Sequence, residues 1–440
     1  MLLATSALSG PAAAGCVVGS DGHQQTCTGS VPGGASFAMP IDSLIVQDLA
    51  GDVSGSFELK WIEPVANGNG TAGKTAWALG LVYDGADYSL SPGAGDSYAL
   101  RARSEGGVGS TGNHGSSSSA KGGDGGAGNT VSVTATGAVS FTSATSGIVL
   151  VAAQSVGGHG AESDVAENYA GSAHGGVGGL GGPAKGASVE LKSGSLAIEA
   201  GGASYGLVAE SVAATGGDGG EGKTVFGGNG HGGTGGAGGA AGGAAIAILS
   251  GSVDVSAPGG NAALAWSVGG PGGGGGEAWT DEAGESEGGG GAVGGAGGGA
   301  SAIIGGGVEI RAAGGAAGVS LVTSGGQGGG GGAGHSGSAG GNSHGGGGGG
   351  GGAGGGIGIV LGPANIQVTG DAAGGAISAR STGGAGGHGG SAETEGPFSN
   401  ADGGDAGRGG DGGLIHVQQA EENQGPIIAA THSTTAIQHA

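Results

Sequence analysis

Positive charge is scarce in this chain. Only 11 Lys and Arg stand against 34 Asp and Glu, for a formal net charge of -23. Nucleic-acid binding neutralises phosphates with basic side chains, so this balance argues against nucleic acid as a partner. Aromatic residues make up 3%, which leaves no large aromatic core. The apolar fraction is 36%, much of it alanine, and no run reaches the ~18 consecutive apolar residues that a spanning helix requires. Cysteine occurs twice, at Cys16 and Cys27. The chain is instead rich in glycine, at 127 of 440 residues, where ordinary usage is about 7%. These numbers suit a thin, elongated structure with a narrow core better than a compact globule.

Glycine at this density generates motifs by composition. "GDGGEGKT" (Gly217 to Thr224) and "GNGTAGKT" (Gly68 to Thr75) both match the phosphate-binding P-loop letter for letter. That loop works only between a strand and a helix whose N-terminus holds the phosphate. After Thr224 comes "VFGGNGHGGTGGAGGAAGG", which cannot be helical at a cost of about 1 kcal/mol per interior glycine. After Thr75 comes "AWALGLVYDG", which reads as a strand. No nucleotide site is expected at either place.

The N-terminus, "MLLATSALSGPAAAGC", has the apolar and small-residue regions of a secretory leader, without the basic start. Residues 1–15 are therefore expected to be a signal-peptide remnant whose true start lies upstream. The bland alternative is a small-residue leader without a targeting role, and "AAGC" leaves lipidation at Cys16 as another. Two cysteines alone in a secreted chain most simply pair with each other. "GSDG" between them is turn chemistry, so Cys16 and Cys27 are expected to face each other across a hairpin. Closing so short a loop contributes about 2–3 kcal/mol. A metal site is the alternative, but His23 brings the ligands to only three.

Self-similarity sets the organisation. The stretches from Val189, Ile246, Ser301 and Ile357 share a glycine (Gly137, Gly194, Gly251, Gly306, Gly362) at spacings of 57, 57, 55 and 56. A serine closes each unit: Ser104, Ser155, Ser211, Ser267, Ser324 and Ser381. A worn first copy begins near Trp77 and an incomplete last one near Leu414. Residues 16–76 read as an N-terminal cap and 77–440 as the repeat array. The first half of each unit carries three short alternating apolar runs, such as Val189/Leu191, Leu196/Ile198 and Leu207/Ala209. In the next unit they are Ile246/Ile248, Val253/Val255 and Leu264/Trp266 with its neighbours. Alternation places one face inward on a strand, and three strands in a unit make one coil of an all-β solenoid whose coils must stack. Separate hairpins on a flexible string are the alternative. The second half is glycine-rich, and its "GGxGGxGG" return has period three. That is the period of a polyproline-II-type helix, with 3.1 Å rise per residue, so arms of ~12 residues would reach about 35–40 Å. Glycine on two of its three faces would let such arms pack, with the residues between kept small. A disordered glycine linker is the other reading.

"CVVGSDGHQQTCTGSVPGGASF", followed by "DSLIVQDLAGDV", resembles the start of autotransporter passenger domains, above all the long glycine-rich ones of proteobacteria. "VAAQSVGGHG" (Val151 to Gly160) is similar to their "AQSIGGGGG" element, with echoes at Ser211 and Ser267. The resemblance implies secretion, a passenger β-helix, and display at the bacterial surface through a C-terminal outer-membrane barrel. No barrel sequence is present before Ala440, so a fragment of a longer protein is expected.

Passengers can carry enzymes, but no catalytic, cofactor-binding or metal-ligating residue emerges. "GHSGS" at Gly334 lacks the last glycine of a nucleophile elbow, and "GDS" at Gly95 is too short to mean much. His114, His159, His174, His231, His335, His344 and His388 lie in or beside the arms without zinc-ligand spacing, and a stacked metal ladder is only the sharper alternative. No glycine run supplies the aspartate of a calcium nonapeptide in register. Two functions remain: a structural or adhesive surface fibre with variable tips, or a module binding ice or a polysaccharide on a flat glycine face. The partners expected are cell-surface or matrix ligands, or further copies assembling into fibres.

Overall fold

The structure is a computed structural model. It describes the chain from Gly15 to His439, apart from residues 32, 39, 50, 92–96, 144–146, 283, 315, 338–339, 370–374, 398, 421–426 and 431–436. The expected leader, except for Gly15, lies outside the described residues, as do Gly95 and Asp96 of the Gly-Asp-Ser. Among the described residues the protein is all-β, with no helix. Its strands form four sheets, one of 15 strands, one of nine and two of five. The first two strands, Gly15–Val18 and Gln24–Gly29, run antiparallel with Cys16 opposite Cys27, and a disulfide joins the two cysteines. Every other pairing is parallel, from one unit to the next.

The unit from Ala187 shows why. Its strand Ala187–Ala200 pairs backward with Val131–Ser143 and forward with Ala244–Ile248 and Ser252–Ser256. Its strand Ser204–Val212 pairs backward with Val149–Val156 and forward with Gly260–Val268, in the nine-stranded sheet. Val189, Leu191, Leu196, Ile198, Leu207 and Ala209 are all buried. Like residues therefore stack on like through the array, as Val133–Val189–Ile246 and Leu196–Val253 do. Gly137, Gly194 and Gly251 sit where the strand turns, with φ of 105°, 118° and 101°, a region that only glycine enters freely. In the unit from Ala300 the left-handed residue is Gly307 (φ 74°) rather than Gly306.

Two sequence assignments need correction. Position five of the serine ladder is Thr323, not Ser324, because Thr323 pairs with both Ser267 and Ser381. The inward residues of Gly260–Val268 are Ala263 and Ala265, while Leu264 is half-buried and Trp266 is 38% exposed. There the alternation has its large side chains on the outer face, and size misled the phase. Across residue 76 the sheets are continuous. Ser43–Leu49 pairs with the strand starting at Leu79, and Ser56–Ile62 with Tyr98–Glu105, so the cap is built from the same ladders.

The ladder of hydroxyls is buried. Ser211 donates to the Lys185 carbonyl at 2.8 Å and accepts from the Gly242 amide at 2.9 Å. Ser267 does the same with Gly242 and Gly298. Each hydroxyl thus ties a core strand to the root of a glycine-rich segment. Ser211→Ala leaves a buried amide and carbonyl without a partner, and is expected to cost about 1–3 kcal/mol. Denaturant unfolding should show this, with Ser211→Thr close to wild type because Thr323 fills the equivalent place. Equal stability of Ser211→Ala and wild type would contradict it.

Candidate functional site: the glycine-rich segments and their tips

Each glycine-rich segment runs out from the sheets, turns, and returns. Its hydrogen bonds follow a period of three. On the way out, the amides of Gly216 and Gly219 donate to Pro271 and Gly274 of the following unit. Those of Gly217 and Gly220 donate to Gly179 and Gly176 of the preceding one. On the way back, Gly235 and Gly238 donate to Gly290 and Val293, while Gly236 and Gly239 donate to Gly217 and Ala214 of the same unit. The third residue of each triplet faces away, and the Thr234 and Val293 amides have no backbone acceptor among the described residues.

This geometry separates obligatory glycines from free ones. A Cβ on Gly238 would run into the Gly270 carbonyl oxygen, and one on Gly236 into that of Gly179. On Gly290 and Gly347, which occupy third positions, the nearest atom would be 3.8 and 3.7 Å away. Glycine on two faces is therefore what brings the segments together, as the sequence suggested. The residues between need not be small. Leu180 is 48% exposed and Val293 56%, because the third position points outward and separates nothing. Along the array, equivalent outward places hold Val177, Thr234, Gly290, Gly347 and Asp405, so no group repeats for a periodic ligand.

The turns at the far ends form the two five-stranded sheets. In one, the middle residues Glu167, Lys223, Trp279, His335 and Glu393 stand in a row facing outward. In the other the row is His174, His231, Glu287, His344 and Asp402. The His174 and His231 rings stack 4.6 Å apart, His231 Nδ1 lies 3.3 Å from Glu287 Oε2, and His344 Nδ1 lies 3.7 Å from Asp402. Trp279 stacks on His335 at 3.9 Å. Four of the seven histidines singled out in the sequence thus fall in these rows, and His159 and His388 are exposed along the segments themselves. Among the described residues no three His, Cys, Asp or Glu side chains are arranged to hold a metal ion.

The motif residues have other tasks here. Lys223 and Thr224 belong to the strand Gly222–Thr224, and the glycine amides before them already donate to neighbouring carbonyls. In the earlier copy Gly70 and Gly73 donate to Thr111 and Asp124. Ser336 of "GHSGS" is buried, with Thr280 and Gly284 as hydrogen-bond partners. The two outward rows are not legible in the sequence, because strands of two and three residues are too short to show alternation.

Burial raises the Glu221 carboxyl above the ordinary glutamate range, reinforced by Glu277 and Glu167 and opposed by Lys223 and His335. A carboxyl raised in the folded state favours folding while it is protonated. That contribution is complete below the ordinary value of about 4.3 and is lost as pH rises through the raised one. Glu221→Gln is therefore expected to match wild type near pH 4 and to melt higher at pH 7. A lower melting temperature at pH 7 would reverse the sign.

No family model, curated protein or solved structure matches the chain.

Proposed function

We propose that this chain is the repeat region of a secreted, surface-displayed structural protein: a β-solenoid stiffened by packed glycine helices that holds variable tips away from the cell. The observation that carries the reading is the period-three hydrogen bonding. Two amides of every three in the interior glycine-rich segments bind a neighbouring segment, which matches helices of three residues per turn without internal bonds. Ordering glycine costs more backbone entropy than ordering any other residue, so a chain this rich in it gains order only through many repeated contacts. A mechanical role suits such a lattice. The disulfide at the first hairpin suits an oxidising, extracellular setting. The sequence resemblance to glycine-rich autotransporter passengers adds an outer-membrane barrel, beyond this chain, as the anchor. The reading assigns no catalytic chemistry and no cofactor. Binding of ice or a regular polysaccharide on the flat face is the weaker alternative, since the outward places differ from unit to unit.

Antibodies raised against tip peptides, for example around Tyr169 and Phe226, test display. They should label intact cells that make the protein, and limited external proteolysis should remove the label. Labelling only after lysis would refute the proposal.

A further inference from the structure

We propose that the outward face of the tip sheet is an interaction surface for an arginine-bearing segment of a partner. The inference deepens the display reading above and rests on it. Trp279, His335 and Glu393 are the middle residues of three adjacent strands, and Asp281 and Glu395 follow two places on, on the same face. Together they line a cleft of about 310 Å³. The stacked rings of Trp279 and His335 form a flat wall, and the Trp279 indole N–H donates to Glu277 at 3.2 Å, which fixes its tilt.

The charge around this wall has one sign. Asp281, Glu393 and Glu395 are exposed, and among the described residues no Lys or Arg lines the cleft. Within it, His335 Nδ1 lies 3.5 Å from Glu393. Lys223 stands one strand back from Trp279. At the near end of the same sheet Tyr169 and Phe226 are 66% and 59% exposed, with ring centroids 6.5 Å apart.

Carboxylates beside an aromatic plane are complementary to guanidinium, which is planar, stacks on rings and forks onto carboxylates. Phosphate or sulfate groups would be repelled by the same face. A sugar would have to stack on Trp279, one face of which is taken by His335. The net charge of -23 adds long-range attraction for a basic partner.

The experiment titrates the whole chain with a short oligo-arginine peptide, at two salt concentrations, by calorimetry. Binding is expected, weaker at high salt, and reduced about tenfold or more by Glu393→Gln with Glu395→Gln and again by Trp279→Leu. Glu199→Gln with Glu309→Gln, on the large sheet, is the control and should bind like wild type. No binding, or binding that the tip variants leave unchanged, overturns the inference. So does a neutral oligosaccharide that binds in place of the peptide and is lost with Trp279. Hydrogen exchange on the same samples separates the two levels. Protected glycine segments without arginine binding overturn this inference alone, and unprotected segments overturn the fibre reading with it.

Discussion

Gly238→Val is expected to open the lattice of glycine segments around it while leaving the large sheets folded. The added side chain would meet the Gly270 carbonyl oxygen, which belongs to the next unit and is itself held in place, so neither side can yield by rotating a side chain. Displacing the segment puts at risk the Gly238 bond to Val293, the Gly239 bond to Ala214 and the Gly270 bond to Gly239, at 3.0, 2.9 and 2.9 Å. Each is worth about 0.5–1.5 kcal/mol net, so with the overpacking the cost is at least about 3 kcal/mol. The matched control is Gly290→Val, at an outward place, which should cost no more than about 0.5 kcal/mol. Hydrogen exchange should show amides 214–220, 233–239 and 270–276 losing protection in Gly238→Val, with strands Ala244–Ile248 and Gly260–Val268 unaffected. Equal tolerance of the two substitutions would contradict the two-of-three rule.

Leu207→Ala acts on the other half of the unit, and its effect should be as large. Leu207 is fully buried and lies in register between Val151 and Ala263. The buried neighbours Ala209, Ala263 and Ala265 are small and held in their own ladders, so they cannot move in to fill the space. Large-to-small changes at such sites cost about 2–5 kcal/mol. Leu180→Ala removes the same atoms from an outward place on a glycine segment and should stay within about 0.5 kcal/mol. Equilibrium unfolding of the two variants side by side checks this. A small effect of Leu207→Ala would mean that the interior is not a packed core.

The all-β character and the unit length were legible in the sequence because both rest on regular spacing. Val189/Leu191 and Leu196/Ile198 alternate cleanly, and their counterparts recur with only one- or two-residue slips. The disulfide was legible for the same local reason, since two cysteines flank a turn. Legibility failed where neighbouring units, rather than the local chain, decide. Trp266 looks like a core residue, yet its strand is phased by Leu207 and Ala209 next door. Ser324 looks like part of the serine ladder, yet pairing places Thr323 there. The smallness of residues between glycines suggested crowding, but those places face outward and only the glycines are crowded. The rows through Trp279 and His231 were out of reach, because only the stacking of distant tips brings their members together.

The claim that the glycine segments are ordered is tested most directly by residue-resolved hydrogen exchange on the intact chain. Packed segments require protection with a period of three. The amides of Gly216, Gly217, Gly219 and Gly220, and of Gly235, Gly236, Gly238 and Gly239, should exchange slowly, while those of Thr234 and Val293 exchange quickly. Uniform exchange across these residues at the rate of an unstructured peptide would contradict it and leave a thin sheet core trailing flexible glycine loops.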